Sequence, residues 1–228
     1  MLDFKAGELL LFNKPLYWTS FDLVKRVRGA ILKKMNVRSI KVGHAGTLDP
    51  LATGLMIVCT GAYTKKIEEF QNLNKEYEAD LMLGANTPSH DLETPINRRF
   101  EISHISEPLL RDLVKSFIGT HEQKPPSFSA KYINGKRAYE LARKGRTVEL
   151  KPKLISIYNL DIMSYSEPVL KIRINCSKGT YIRALARDIG KKLNAGAHLI
   201  ALKRTGIGDY TLEKAMSFDE FKKLLELM

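Results

Sequence analysis

At 228 residues, 44% hydrophobic and 27% charged, the chain has the composition of a folded protein with a proper core, which excludes a disordered tail. Cys59 and Cys176 fit neither a metal spacing nor a disulfide framework. The apolar run at residues 9–12 is too short for a signal peptide or a membrane span, so the expected location is the cytoplasm, with no membrane partner. The net charge of +12 is concentrated in two stretches: residues 23–43 hold seven basic side chains and no acid, and residues 124–153 hold nine and two. Such clusters are the electrostatic footprint of a nucleic-acid surface, because Lys and Arg that neutralise phosphates release condensed counterions.

Residues 8–12 read as a first buried strand. A helix follows, with Thr19 and Ser20 as cap types, Asp22 in the first turn, and Phe21, Val24, Val27 and Ile31 at helical spacing. Residues 56–60 (MIVCT) read as a buried strand. Over residues 76–84, Tyr77, Ala79, Leu81 and Leu83 alternate with acids, as in a half-buried strand. Ser106 opens a helix with Pro108 in its first turn, the apolar residues Leu109, Leu110, Leu113, Val114 and Phe117, and Gly119 as its terminator. From residue 120 to 153 the periodicity weakens into a basic excursion with one short helix through 138–143. Alternation returns at 169–176, followed by a helix over 181–193 and a strand over 197–202. A capping box, Ser217 with Glu220, opens a last helix. This order predicts an α+β fold with a mixed or antiparallel sheet.

One stretch, KVGHAGTLDPLATG at residues 41–54, carries a lone carboxylate among glycines. A phosphate loop needs Lys and then Ser or Thr after its last glycine, whereas Leu55 and Met56 follow Gly54. The spacing also fails a dinucleotide fingerprint, and His44 with Asp49 lacks two further metal ligands nearby. What remains is Asp49, biased toward extended backbone by Pro50 and shielded by Leu48 and Leu51. A shielded carboxylate needs a cation or donor. SKGTYIRALARDIG at 177–190 offers one, because Arg183 sits in the first turn of a helix that follows a strand. Taken singly, Asp49 reads equally as a loop-turning residue, and Arg183 more often as a solvated helix residue.

With these residues in view, the chain resembles the TruB family of bacterial tRNA pseudouridine synthases, which convert uridine 55 of the T loop. The resemblance covers nearly the whole chain through NKPLYWTSFDLVKRVR, VGHAGTLDPLATGLMIVCTGAYTKK, KEYEADLMLG, SAKYINGKRAYELARKG, CSKGTYIRALARDIG and GAHLIALKRTGIG. It implies the pseudouridine synthase fold, a mixed and mostly antiparallel sheet flanked by helices. It also implies one catalytic domain over residues 1–228, with a basic thumb-like insertion at roughly 120–153 and no separate C-terminal RNA-binding domain. By position, Asp49 resembles the catalytic aspartate, with Tyr77 packed against the target uracil and Arg183 pairing with the carboxylate. His44, Tyr181 and Leu202 resemble substrate contacts; Lys65, Lys131, Lys136, Arg137 and Arg143 resemble RNA contacts. The implied partner is the tRNA T arm, met by a monomer without an obligate protein partner, cofactor or metal.

The chain departs from the family pattern at two places. Tyr17 stands where the first motif usually carries glycine, and the chain is expected to lack the PUA-type domain that many members carry. The reaction implied breaks the N1–C1′ bond of a flipped uridine, turns the uracil and rejoins it through C5. Attack of Asp49 on C1′, its addition to C6, and abstraction of the 2′ proton all fit. Two other readings accommodate the same residues: a guide-RNA-dependent synthase subunit and a non-catalytic tRNA-binding or folding protein.

Overall fold

The computed structural model describes residues 2–129, 131–133, 135–146 and 150–228. In chain order the first elements are β1 (Leu9–Lys14), α1 (Ser20–Met35), β2 (Val42–His44), β3 (Ala52–Thr60), a 3-10 turn (Gly61–Lys66), α2 (Ile67–Asn72) and β4 (Lys75–Leu83). Next come β5 (Ala85–Asn86), β6 (Arg98–Arg99), α3 (Glu107–Lys115), β7 (Gly119–Gln123), β8 (Tyr132–Ile133), β9 (Lys136–Arg137) and α4 (Ala138–Arg143). Then follow β10 (Lys153–Ser166), β11 (Val169–Cys176), α5 (Ile182–Lys192), β12 (Ala197–Ile207), β13 (Tyr210–Thr211) and α6 (Phe218–Glu226). The residues form two compact units, Met1–Tyr77 with Leu202–Met228, and Glu78–Ala201.

In the first unit β3 is the organising strand. Its MIVCT run is apolar on both faces because both are covered, and residues 54–60 are all buried. β1 and β2 pair with it antiparallel, while the end of β12 pairs with it in parallel, Leu202 opposite Ala52 and Arg204 opposite Gly54. One face packs Leu55, Ile57, Cys59 and Ile207 against Leu9, Leu11, Ile67 and Phe70. Phe12, on the other side of β1, meets Phe221 of α6 edge-on at 5.3 Å. In α1 the buried stripe is Ser20, Leu23, Val24, Val27 and Ile31. Phe21, expected on that stripe, is exposed instead. At 100° per residue it lies about a quarter-turn off the stripe's axis. Thr19 and Asp22 close α1 with a full capping box, as Ser217 and Glu220 close α6.

In the second unit the strand order is β4-β11-β10-β7. Leu170, Ile172, Ile174 and Cys176 of β11 form the expected buried row. β10 carries no clean alternation because its register with β11 shifts between Ile157 and Asn159 and again between Ile162 and Ser164, so its buried residues run Ile155, Ile157, Leu160. A bulge of this kind inserts a residue and resets which side chains face inward. Residues 120–123, expected in the excursion, belong to β7 and pair with the start of β10. Gly119 likewise does not end α3, which stops at Lys115 with Ser116 as its cap; the glycine opens β7. The short helix over 138–143 is present as expected, preceded by the β8–β9 hairpin. Ala130, Asn134 and residues 147–149 of the expected insertion lie outside the described residues.

Tyr17 adopts a left-handed backbone, φ 66°, and its N–H donates to the Pro50 carbonyl at 2.8 Å. Asn36 does the same at the C-cap of α1 with φ 50°, where asparagine is a usual occupant. A tyrosine there costs about 1 kcal/mol relative to glycine. Tyr17→Gly is therefore expected to stabilise the protein by up to about 1 kcal/mol, raising the thermal midpoint by about 2–4 °C. An unchanged or lower midpoint would show that the ring returns packing energy to the fold.

Candidate active site

The loop between β2 and β3 holds Asp49, half-buried, beside buried Leu48. Its conformation is set by backbone clamps. The Ser20 hydroxyl at the start of α1 accepts from the Leu48 N–H at 2.8 Å and donates to the Leu48 carbonyl at 3.0 Å. The Ala52 N–H closes a turn onto the Asp49 carbonyl at 3.0 Å, with Pro50 at the position where its fixed φ suits a tight turn. The glycines of the motif have separate jobs. Gly54 has φ 104°, and a Cβ there would strike the backbone of Arg204 on the neighbouring strand. Gly46, φ 106°, presents its carbonyl to Arg204 Nη2 at 3.1 Å.

Two buried cations surround this loop, and sequence reasoning assigned a role to neither. Arg204 is 1% exposed and also donates through Nε to the Leu55 carbonyl at 2.7 Å, so it staples both sides of the loop to β12. Lys14 is fully buried at the end of β1, in the inward row with Leu10 and Phe12. Its ammonium donates to the carbonyls of Pro15 at 2.9 Å and Trp18 at 2.6 Å. Burial pushes its pKa down to about 8; the charge of Asp49 opposes that shift and the charge of Arg204 adds to it. The available signal was position alone: Lys14 opens the KP pair of the first motif, and Arg204 follows Leu202 and Lys203 in ALKR.

His44 ends β2. Burial, and then the charge of Arg204, hold its pKa below the ordinary value, so the imidazole is neutral near pH 7. Its Nδ1 is shielded and has no hydrogen-bond partner among the described residues. Tyr77 lies in the buried row of β4 with Lys75, Ala79, Leu81 and Leu83. Leu202, half-buried, stands opposite Ala52 and so borders the Asp49 turn. Lys65 is exposed on the 3-10 turn after β3. The first unit therefore gathers His44, Asp49 and Leu202 around one stapled loop.

The second unit holds the remaining expected residues. Arg183, 5% exposed in the first turn of α5, has Nε 3.5 Å from Asp91 Oδ2 and donates through Nη1 to the Ser89 carbonyl at 3.3 Å. Asp91, itself buried, was not singled out from sequence; a buried acid in a polar loop carries no periodic signal. The loop around it is rigidified by Thr87 and Ser89, whose hydroxyls donate to the Asp91 carbonyl at 2.7 and 3.3 Å. Tyr181 is the N-cap of α5, and the Gln123 side chain brackets its backbone, accepting from its N–H at 2.8 Å and donating to its carbonyl at 3.2 Å. Of the insertion residues, Lys131 lies 6.0 Å from the centre of the Tyr181 ring and Lys136 is exposed. Arg137 stacks at 3.8 Å on Tyr132. Arg143 is held by Glu93 at 2.6 Å, which leaves its charge partly compensated. Among the described residues, no group of three or more His, Cys, Asp or Glu side chains converges as metal ligands would.

A family model described as TruB family pseudouridylate synthase (N terminal domain) matches residues 33–182. The chain belongs to the TruB family. A second model, tRNA pseudouridylate synthase B C-terminal domain, matches residues 183–228, so Asp49 and Tyr77 fall in the N-terminal match and Arg183 opens the C-terminal one. The tRNA pseudouridine synthase B of Parabacteroides distasonis is 59% identical over 225 residues, which cover 99% of this chain and 96% of that protein. The protein of the same name from Flavobacterium johnsoniae is 45% identical, covering 98% of each. A solved H/ACA RNP bound to a substrate RNA containing 2′-deoxyuridine matches 96% of this chain with a TM-score of 0.69 at 22% identity, and this chain spans 53% of that one. That likeness shows a shared fold, and it bears out the mixed sheet expected of the TruB family.

The Lys14 pKa has a thermodynamic consequence. Between about 8 and the unfolded value of 10.5 the unfolded chain binds the proton that the folded chain has lost, so stability attributable to Lys14 rises with pH across this window and is lost as pH falls through 8. The unfolding free energy of the native protein minus that of Lys14→Met is expected to increase by about 1–3 kcal/mol from pH 7.5 to 10.5, measured by urea titration. A difference independent of pH would place the ammonium in water.

Proposed function

We propose that this chain isomerises uridine 55 in the T loop of tRNA to pseudouridine, acting as a cytoplasmic monomer without guide RNA, cofactor or protein partner. The observation that carries the reading is the Asp49 loop. A single carboxylate is held by the Ser20 and Arg204 staples beside the Lys14 ammonium, in the motif that the chain shares with the TruB family. Such a loop costs little to reorganise when charge shifts at the carboxylate, which is the condition for electrostatic or nucleophilic catalysis.

In this reading the target nucleotide leaves the loop stack at a cost of a few kcal/mol and enters the site. Tyr77 packs on the uracil face, His44 contacts the nucleotide as a neutral imidazole, and Tyr181 and Leu202 are substrate contacts. Asp49 acts at C1′, at C6 or on the 2′ proton, and Arg183 supplies positive charge to the same reaction. The N1–C1′ bond breaks, the uracil turns, a C5–C1′ bond forms, and the C5 proton is lost while N1 takes one up, so atoms balance without a co-reactant. Lys65, Lys131, Lys136, Arg137 and Arg143 bind the RNA backbone, with the basic stretch at residues 23–43 adding to the field.

The test is tritium release from C5-labelled uridine in a bare T-arm hairpin, with no other RNA or protein added. Release is expected from the native chain; none would favour a guide-dependent subunit or a non-catalytic binder. Asp49→Asn is expected to lower release by at least about a thousandfold while changing hairpin affinity by less than about threefold. Substantial turnover in that variant would remove Asp49 from the chemistry.

A further inference from the structure

Beside the Asp49 turn the first unit displays two aromatic rings that the fold does not use. Tyr17 is 75% exposed and Phe21 70% exposed. Among the described residues neither has an aromatic or cationic partner, whereas their neighbour Trp18 is covered by Arg26 at 4.4 Å and Phe218 at 5.9 Å. Tyr17 keeps its ring at the expense of a left-handed backbone that glycine would adopt freely, and it is tied to the catalytic loop through the Pro50 carbonyl.

The rings continue into a charged stripe. Phe21, Lys25 and Arg28 stand at i, i+4 and i+7 on α1, all exposed, extending about 10 Å along one side of the helix. Asp22 is the one acid of α1; the N–H and hydroxyl of Thr19 hold its carboxylate at the helix cap, at 2.9 and 2.6 Å, and the helix carries five cations, Lys25, Arg26, Arg28, Lys33 and Lys34, against it. Aromatic faces beside a row of cations match an unpaired nucleic-acid strand, whose bases offer π-faces and whose phosphates offer charge.

We propose that Tyr17 and Phe21, flanked by Lys25 and Arg28, form a stacking platform for unpaired nucleotides of the substrate RNA next to the flipped uridine. The proposal rests on the reading of Asp49 as the centre that acts on a nucleotide in RNA. Extruding one base leaves its neighbours without a stacking partner, and an exposed ring tied to the Asp49 turn replaces what they lose.

The experiment uses the full chain with a T-arm hairpin carrying 2-aminopurine beside the target, and a fully paired RNA of equal length. The double variant Tyr17→Gly, Phe21→Ala is expected to bind the hairpin about tenfold more weakly and to lose most of the 2-aminopurine fluorescence change, with affinity for the paired RNA within about twofold of native. Tyr17→Trp, which keeps a ring at the position, should bind the hairpin within about twofold of native, and thermal unfolding confirms that each variant is folded. Hairpin affinity within about twofold of native, or an equal loss on the paired RNA, would overturn the platform. So would a loss of self-association in the variant with RNA affinity unchanged, which would assign the rings to a second copy of the chain. If Asp49→Asn keeps substantial tritium release, the reading of Asp49 fails and the platform with it. If the native chain is active and the variants equal it in affinity and rate, the platform alone fails.

Discussion

The Ser20–Leu48 pair of hydrogen bonds, together with the two that Arg204 gives to the carbonyls of Gly46 and Leu55, is the constraint on which the rest of the first unit depends. A carboxylate on a free loop is hydrated and mobile, and neither state serves chemistry at a buried sugar or base. Here the loop is stapled at one side to the first turn of α1 and at the other to β12. The backbone of Arg204 approaches so closely that position 54 accepts only glycine. Helix, strand and loop therefore hold one another in register, and the side chain of Asp49 is positioned by main-chain geometry rather than by its own contacts alone.

The buried charges follow the same logic. Burying Lys14 and Arg204 is costly, and each is met by backbone carbonyls that offset part of the lost hydration. What remains of the cost appears in Lys14 as a lowered pKa. The second unit repeats the arrangement with Arg183, held by Asp91 and the Ser89 carbonyl in a loop that Thr87 and Ser89 rigidify. A guanidinium anchored in this way presents a fixed charge, which a solvated arginine on a helix surface does not.

Elements with unbroken periodicity were legible from residue order. β4 and β11 alternate without interruption, and the α1 and α6 boxes announce their own beginnings. β10 was not legible, because two register shifts break its alternation, and residues 120–123 of β7 were assigned to the excursion because four polar residues at a sheet edge carry no apolar signal. In the site, Asp49 was legible because an acid between leucines and glycines is anomalous. Asp91 and Arg204 were not, since each becomes significant through a partner distant in the chain.

By itself the sequence determined the α+β class, the concentration of basic charge, and the family, because local periodicity and a long motif are written in neighbouring residues. Only the tertiary structure decided that Lys14 and Arg204 are buried, that Arg183 has Asp91 beside it, and that Tyr17 holds a glycine-like backbone with its ring outward. The physical reason is range. Propensity and patterning act over a few residues, whereas burial and ion pairing depend on which strands and loops the fold brings together.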